Sequence, residues 1–170
     1  MSATNIISIP KVKMLDTSQT PEKPTEIDDE LILNNGFFPD VSLLDVRNSM
    51  RIDGTVTNER LKHAIIEAIL TVNQDLQAFK ELCLTQDKSN LYECSDERVN
   101  GETVQVYQYK RAVYCLAVAN LYERYRSFDS TKEGHEKADE LLDSAGDLRR
   151  DYHHAVRDIL GERRLISELI

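Results

Sequence analysis

From residue 57 onward the apolar positions recur with helical spacing. Leu61, Ile65, Ala68, Val72, Leu76, Phe79 and Cys83 follow one another at intervals of four, three, four, four, three and four residues, which draws one stripe down a single helix. Thr57 stands where an N-cap belongs, so the pattern predicts a long helix over 58–84. Ile66 and Leu70 fall well off that stripe. They form a second apolar surface, to be covered by a neighbour within the chain or by another subunit.

The flanking pattern adds three more helices. Asp40, after Pro39, is the expected N-cap of a short helix through Met50, which Asp53-Gly54 stops. A polar loop occupies 86–103. A further helix is expected over 104–127, and its centre, AVYCLAVANLY (112–122), is apolar on almost every side, as suits the most buried helix of a domain. After a turn at Ser127–Ser130, the last helix runs from about 131 to 160. Its inner stripe is Ala138, Leu141, Leu142, Ala145, Leu148, Tyr152, Val156, Ile159 and Leu160; Gly134 and Gly146 mark a start or a kink, and Gly161 a C-terminal stop. The reading is an all-α domain over 37–160, a small bundle of three long helices plus a short one. The expected core includes Leu61, Ile65, Val72, Phe79, Val113, Leu116, Leu141, Leu148 and Val156.

Both ends differ from this domain. All four prolines lie in residues 1–40, which carry three lysines against seven Asp or Glu. Such a stretch buries too little apolar surface to offset its ordering entropy. Residues 1–36 therefore read as an extended arm with two apolar islands, Ile6-Ile7-Ser8-Ile9 and Leu31-Ile32-Leu33, suited to docking on another chain. Residues 161–170 form a tail ending in Leu165, Ile166, Leu169 and Ile170, beside Arg163 and Arg164.

Charge and composition narrow the function. The 170 residues sum to a net charge of −9, which disfavours a nucleic-acid binder, since phosphate neutralisation needs an excess of Lys and Arg. No run approaches the ~18 apolar residues of a membrane span, and the N-terminus lacks a signal-peptide core, so a soluble protein made in a cytoplasm is expected. Cys83, Cys94 and Cys115 are odd in number and irregularly spaced, which fits reduced structural thiols and neither a disulfide framework nor a zinc site.

Candidate chemistry is thin. His135-Glu136 has Asp139 where a zinc-protease helix would place its second histidine. Asp151 and His154 have the spacing of half a di-iron site, without the second half; His63 and His153 have no such frame. No residue set supplies a nucleophile with its base, so no enzyme and no cofactor are expected. Two surface patterns are stronger. Glu136, Glu140, Asp143, Asp147, Asp151 and Asp158 follow one side of the last helix, an acidic face turned to solvent or to an opening that repels DNA phosphates. Residues 105–127 carry Lys110, Arg111, Arg124 and Arg126 against Glu123, interleaved with five tyrosines. That mixture suits either single-strand stacking or, preferably, tyrosines that pack and arginines that pair with neighbouring acids.

Three blocks of the chain are familiar. FFPDVSLLDVRNSMRIDGTVTNERLKHAIIEAI (37–69), YKRAVYCLAVANLYERYRSFD (109–129) and DLRRDYHHAVRDILGERRLISELI (147–170) resemble the head completion protein of P2-like tailed phages, the product of gene L. The resemblance covers most of 37–170 and leaves residues 1–36 unmatched. It implies a structural protein of the virion neck, similar to the helical head–tail adaptors of other tailed phages and made in a host bacterial cytoplasm. Such a protein binds the portal vertex after DNA packaging, stabilises the filled head and prepares it for the tail. The implied partners are the portal protein, further copies in a twelvefold ring, a tail terminator or neck protein, and packaged DNA in the channel without sequence-specific contact; no membrane is implied. The C-terminal residues Arg163, Arg164, Leu165, Ile166, Leu169 and Ile170 would then dock on the portal, and Ile66 and Leu70 are candidates for the subunit contact. The alternative is a generic helical interaction module or a small-terminase-like packaging component, which would need a basic DNA-recognition surface.

Overall fold

The computed structural model describes residues 30–52, 54–126 and 132–162; within that range the side chains of 125, 126 and 132–143 stay outside the description. Five helices dominate: α1 (Leu43–Ser49), α2 (Asn58–Asp75), α3 (Gln77–Thr85), α4 (Val104–Arg126) and α5 (Lys132–Leu160). Two antiparallel two-residue pairings accompany them. In the first, β1 (Leu31–Ile32) pairs with β2 (Val41–Ser42); in the second, β3 (Arg98–Val99) pairs with β4 (Glu102–Thr103).

The bundle is organised around α4, which packs along α5 on one side and against α2 on another. Every residue from Ala112 to Ala119 is buried, as the all-round apolar sequence requires. The stripe on α2 and α3 points inward: Leu61, Ile65, Ala68, Val72, Leu76 and Cys83 are buried, with Phe79 packed at the edge of the core. On α5, Ala145, Tyr152, Val156 and Ile159 are buried and Leu148 partly so. Leu160 belongs to the expected stripe but is exposed, and Ala155 takes the buried place. The expected inner residues Ala138, Leu141 and Leu142 lie outside the described side chains.

Boundaries moved for identifiable reasons. Thr57 caps α2 as expected, accepting from the Arg60 N–H, but the helix is interrupted at Leu76 (φ −95°, ψ 10°), so 58–84 is two helices and not one. The stripe survives because the interruption neither adds nor removes a residue. The short helix begins later than expected. Ser42, not Asp40, is its N-cap, its hydroxyl accepting from Asp45 N at 3.0 Å. Asp40 accepts instead from Asn34 N at 2.7 Å, because Val41 and Ser42 are taken up by pairing with β1. Residues 30–36, assigned by composition to the extended arm, therefore pack on the domain, with Ile32 buried and Leu43 N donating to Glu30 O at 3.0 Å.

The 86–103 loop is also structured. A turn of 3-10 helix at Leu91–Glu93 inserts Leu91 fully into the core, and Leu91 N donates to Phe37 O at 2.9 Å. Asn100 and Gly101 both have positive φ (52° and 83°), the type I′ geometry that joins β3 to β4 in a tight hairpin. At the far end, α5 closes on Gly161 (φ 71°), with Glu162 N donating to Arg157 O at 3.0 Å across the stop.

Candidate functional site

Two surfaces carry the features that the sequence singles out, the outer side of α2 and the seam between α4 and α5. On α2, Leu70 is 65% exposed and Ile66 39%. Among the described residues, both stand exposed on the outer side of α2. Charged pairs frame them. Lys62 bridges to Glu30 on one side, and Glu67 accepts from Arg124 of α4 at 2.6 Å on the other. Asn73 of α2 donates to Asn34 Oδ1 at 2.9 Å, so the segment from Glu30 to Asn34 lies alongside α2, with Leu33 75% exposed on the same flank. Within the second apolar island only Ile32 turns inward.

That flank is held by a part-buried polar knot. Tyr109 of α4 is fully buried against Phe38, the rings stacked with centroids 4.9 Å apart. Its hydroxyl donates to Asn73 Oδ1 at 2.7 Å and accepts from Asn34 Nδ2 at 2.8 Å, joining α4, α2 and the β1 segment. Burial drives the phenol pKa upward, so the hydroxyl keeps its proton.

At the second surface the acidic face of α5 is less uniform than its sequence. Asp151 turns toward α4 and meets Arg111 Nη2 at 3.2 Å. Asp147 is exposed and pairs with Arg150 at 2.9 Å, and Asp158 is half-buried. Glu136, Glu140 and Asp143 lie outside the described side chains. Arg149 interrupts the acidic series by reaching to Glu123 of α4, with Nε at 2.7 Å and Nη2 at 2.6 Å from the two carboxylate oxygens, and to Asn120 Oδ1 at 3.2 Å. These bonds lower the Glu123 carboxyl pKa and raise that of Arg149. Tyr152 donates its hydroxyl to Asp75 at the end of α2; burial first, and that carboxylate second, raise its pKa.

The basic side of α4 is neutralised in the same way. Lys110 bridges Glu102 at 2.5 Å, Arg111 bridges Asp151, and Arg124 bridges Glu67, so each described cation of α4 has a carboxylate partner. Among the described tyrosines of α4, Tyr109 and Tyr114 are buried, Tyr122 is half-buried and Tyr107 is well exposed. Among the described residues, the cations of α4 thus pair and its tyrosines other than Tyr107 pack.

A shallow cleft of about 440 Å³ opens between α1, α4 and α5. Its lining includes Asp45, Tyr107, Lys110, Arg111, Cys115 and Asp151, in which the cations are already paired. Half of the di-iron spacing is accounted for here, since Asp151 serves Arg111. His154 is half-buried, and among the described residues no group of three His, Cys, Asp or Glu is placed to hold a metal. No helix among them is long and apolar enough to cross a membrane. Arg163, Arg164, Leu165, Ile166, Leu169 and Ile170 lie outside the described residues; the helix before them ends at Leu160.

One close approach has no signal in the sequence. Cys83 of α3 and Cys94, just after the 3-10 turn, bring their sulfurs to 2.9 Å, although eleven residues separate them. Spacing alone could not have paired them, because the irregular loop that brings them together, with Leu91 buried in the core, leaves no periodic trace.

Comparison with known proteins places this bundle. No solved structure matches it. A "Head completion/stabilization protein" of Escherichia phage P2 is 36% identical over 143 residues, 84% of this chain and 85% of the relative. A "Probable head completion/stabilization protein" of Haemophilus phage HP1 is 28% identical over 139 residues, 82% of this chain and 91% of the relative. The family model described as phage head completion protein (GPL) matches residues 32–170, a span that begins within β1 and takes in the whole bundle and the tail. With its interior filled by helix packing and its distinctive groups turned outward, the chain belongs to the phage head completion protein family.

Proposed function

We propose that this chain is a neck subunit that binds the portal vertex of the DNA-filled capsid, forms a ring there, holds the packaged DNA and prepares the head for tail joining. The observation that carries the reading is the family match over residues 32–170. The exterior supports it. Ile66 and Leu70 present large aliphatic side chains to solvent, the kind of surface that contacts another copy in a head-to-tail ring. The ring matches the twelvefold portal, and its opposite side receives a tail terminator or neck protein.

The acidic side of α5 lines the channel or faces solvent. Burying six carboxylates against another chain would demand matching cations or cost several kcal/mol per ion. Facing DNA, an acidic series repels phosphate, so the channel contacts packaged DNA without gripping it or reading its sequence. Asp151, bound to Arg111, contributes less than Asp147.

The tail after Gly161 is the portal anchor. Leu165, Ile166, Leu169 and Ile170 would each contribute roughly 1.5–3 kcal/mol on burial, before ordering costs, and Arg163 and Arg164 add contacts to an acidic partner surface. Deleting residues 162–170 tests this directly. The truncated protein is expected to keep its melting temperature and to lose binding to portal-bearing heads. A truncated protein that melts many degrees lower, yet still binds heads in the cold, would make the tail part of the subunit's own core.

A further inference from the structure

We propose that Cys83 and Cys94 form an oxidisable dithiol, a modification site that closes to an intramolecular disulfide by exchange with a low-molecular-weight disulfide. Three observations support it. The sulfurs already touch at 2.9 Å, and a disulfide bond of about 2.05 Å needs less than an ångström of further approach. Each cysteine sits in hydrogen-bonded backbone. The Cys83 carbonyl accepts from Gln86 N at 3.0 Å and Lys88 N at 3.1 Å, and Cys94 N donates to Leu91 O at 3.2 Å, with Leu91 itself locked in the core. Access is unequal, since Cys83 is buried while Cys94 is half-buried, so the reaction has a defined first site.

The step balances as follows. The Cys94 thiolate attacks one sulfur of the small disulfide, breaking its S–S bond and releasing one small thiolate. The Cys83 thiolate then attacks the Cys94 sulfur of the mixed disulfide and releases the second. The protein loses two electrons and the reagent gains them; the two cysteine protons end on the two small thiols.

The same surroundings slow the first step of that exchange. Burial first, then the hydrogen bond and charge of Cys83, push the Cys94 thiol up to about 12; Glu93 adds to the shift and Lys88 opposes it. Exchange is therefore slow near neutrality and accelerates as the pH rises. Once closed, the bridge ties the end of α3 to the 3-10 turn and fixes the loop that docks on Phe37. In a virion protein this chemistry separates two conditions, since assembly takes place in a reducing cell and the finished particle does not stay in one. That last point rests on the neck reading; the chemistry itself does not.

The test uses the purified full-length protein, reduced, freed of reductant and incubated folded with oxidised glutathione at pH 8. Peptide mapping is expected to find one cross-link joining the Cys83 and Cys94 peptides, without bound glutathione. The melting temperature should rise by roughly 5–10 °C, the size expected for a short closed loop in a domain of this length. Cys94→Ser, at the half-buried position, should abolish both changes. A stable glutathione adduct on Cys94 with Cys83 still alkylatable, or no reaction of either thiol even when the pH is raised to 9.5, would overturn the proposal. Because no head takes part, any of these results leaves the portal reading untouched, and failure to bind heads leaves the dithiol untouched.

Discussion

Arg111 of α4 and Asp151 of α5 meet at 3.2 Å across the seam between the two longest helices. Each belongs to a surface that looks single-signed in sequence, basic on α4 and acidic on α5, and the contact draws charge out of both. A second cross-helix pair, Arg149 with Glu123, joins it on the described seam, while Asp147 pairs with Arg150 within α5. This is why charge reversal is informative at some acidic positions and merely destabilising at others.

The double variant Asp143→Lys/Asp147→Lys is expected to assemble onto heads normally and to slow DNA ejection, as phosphate attraction replaces repulsion in the channel. Ejection kinetics from purified particles measure this. Loss of assembly with soluble, folded protein would instead identify the acidic face as a subunit contact.

Ile66→Asp/Leu70→Asp should yield a folded subunit that fails to complete heads. Both positions are exposed, so the folding cost is small, about 0.5 kcal/mol or less at each. Circular dichroism with a head-completion assay separates the two effects. Heads that still accept tails normally would place the subunit contact elsewhere.

Much of the bundle was legible because its signals are local. Helical spacing gave the inward stripe of α2 and α3, and the apolar run 112–122 identified α4 as the central helix. What escaped were features decided between distant residues. Asp40 has the chemistry of an N-cap, yet loses that role to Ser42 because β1 pairs with the intervening strand. Composition assigned Glu30–Gly36 to the arm, since a single buried Ile32 and the Asn34 bonds to Tyr109 and Asn73 leave no periodic trace. The Asn100-Gly101 hairpin was the exception, a local signal present in the sequence and obscured by the polar residues around it. On the candidate site, spacing sets Ile66 and Leu70 apart from the core stripe and both are exposed, whereas pairing between α4 and α5 depends on helix packing that no single segment encodes.

Leu116→Ala should destabilise the domain by about 2–5 kcal/mol, because Leu116 is buried in the central helix and the cavity has little freedom to collapse. Tyr109→Phe is expected to cost about 0.5–1.5 kcal/mol by removing the hydroxyl that bridges the half-buried Asn34 and Asn73, two amides that still bond one another. Denaturant melts of both variants check the ranking.

The Glu123–Arg149 pair predicts a pH signature. The Glu123 carboxyl titrates below its ordinary value of 4.5 in the folded protein, so its contribution is complete above that value and disappears as the pH falls through the lower, folded pKa. The pair is exposed, and the contribution is about 0.2–1 kcal/mol after solvent screening. Glu123→Gln should therefore be slightly less stable than the parent at pH 7, with the difference fading in acid. A difference independent of pH would mean that the side chain acts through packing.

The most direct test of the neck assignment is imaging of DNA-filled heads made without this protein, before and after the purified chain is added. The account predicts new density at a single vertex, the portal vertex, together with retention of DNA that untreated heads lose. Density spread over the whole shell, or no binding while heads lose DNA as before, would contradict it.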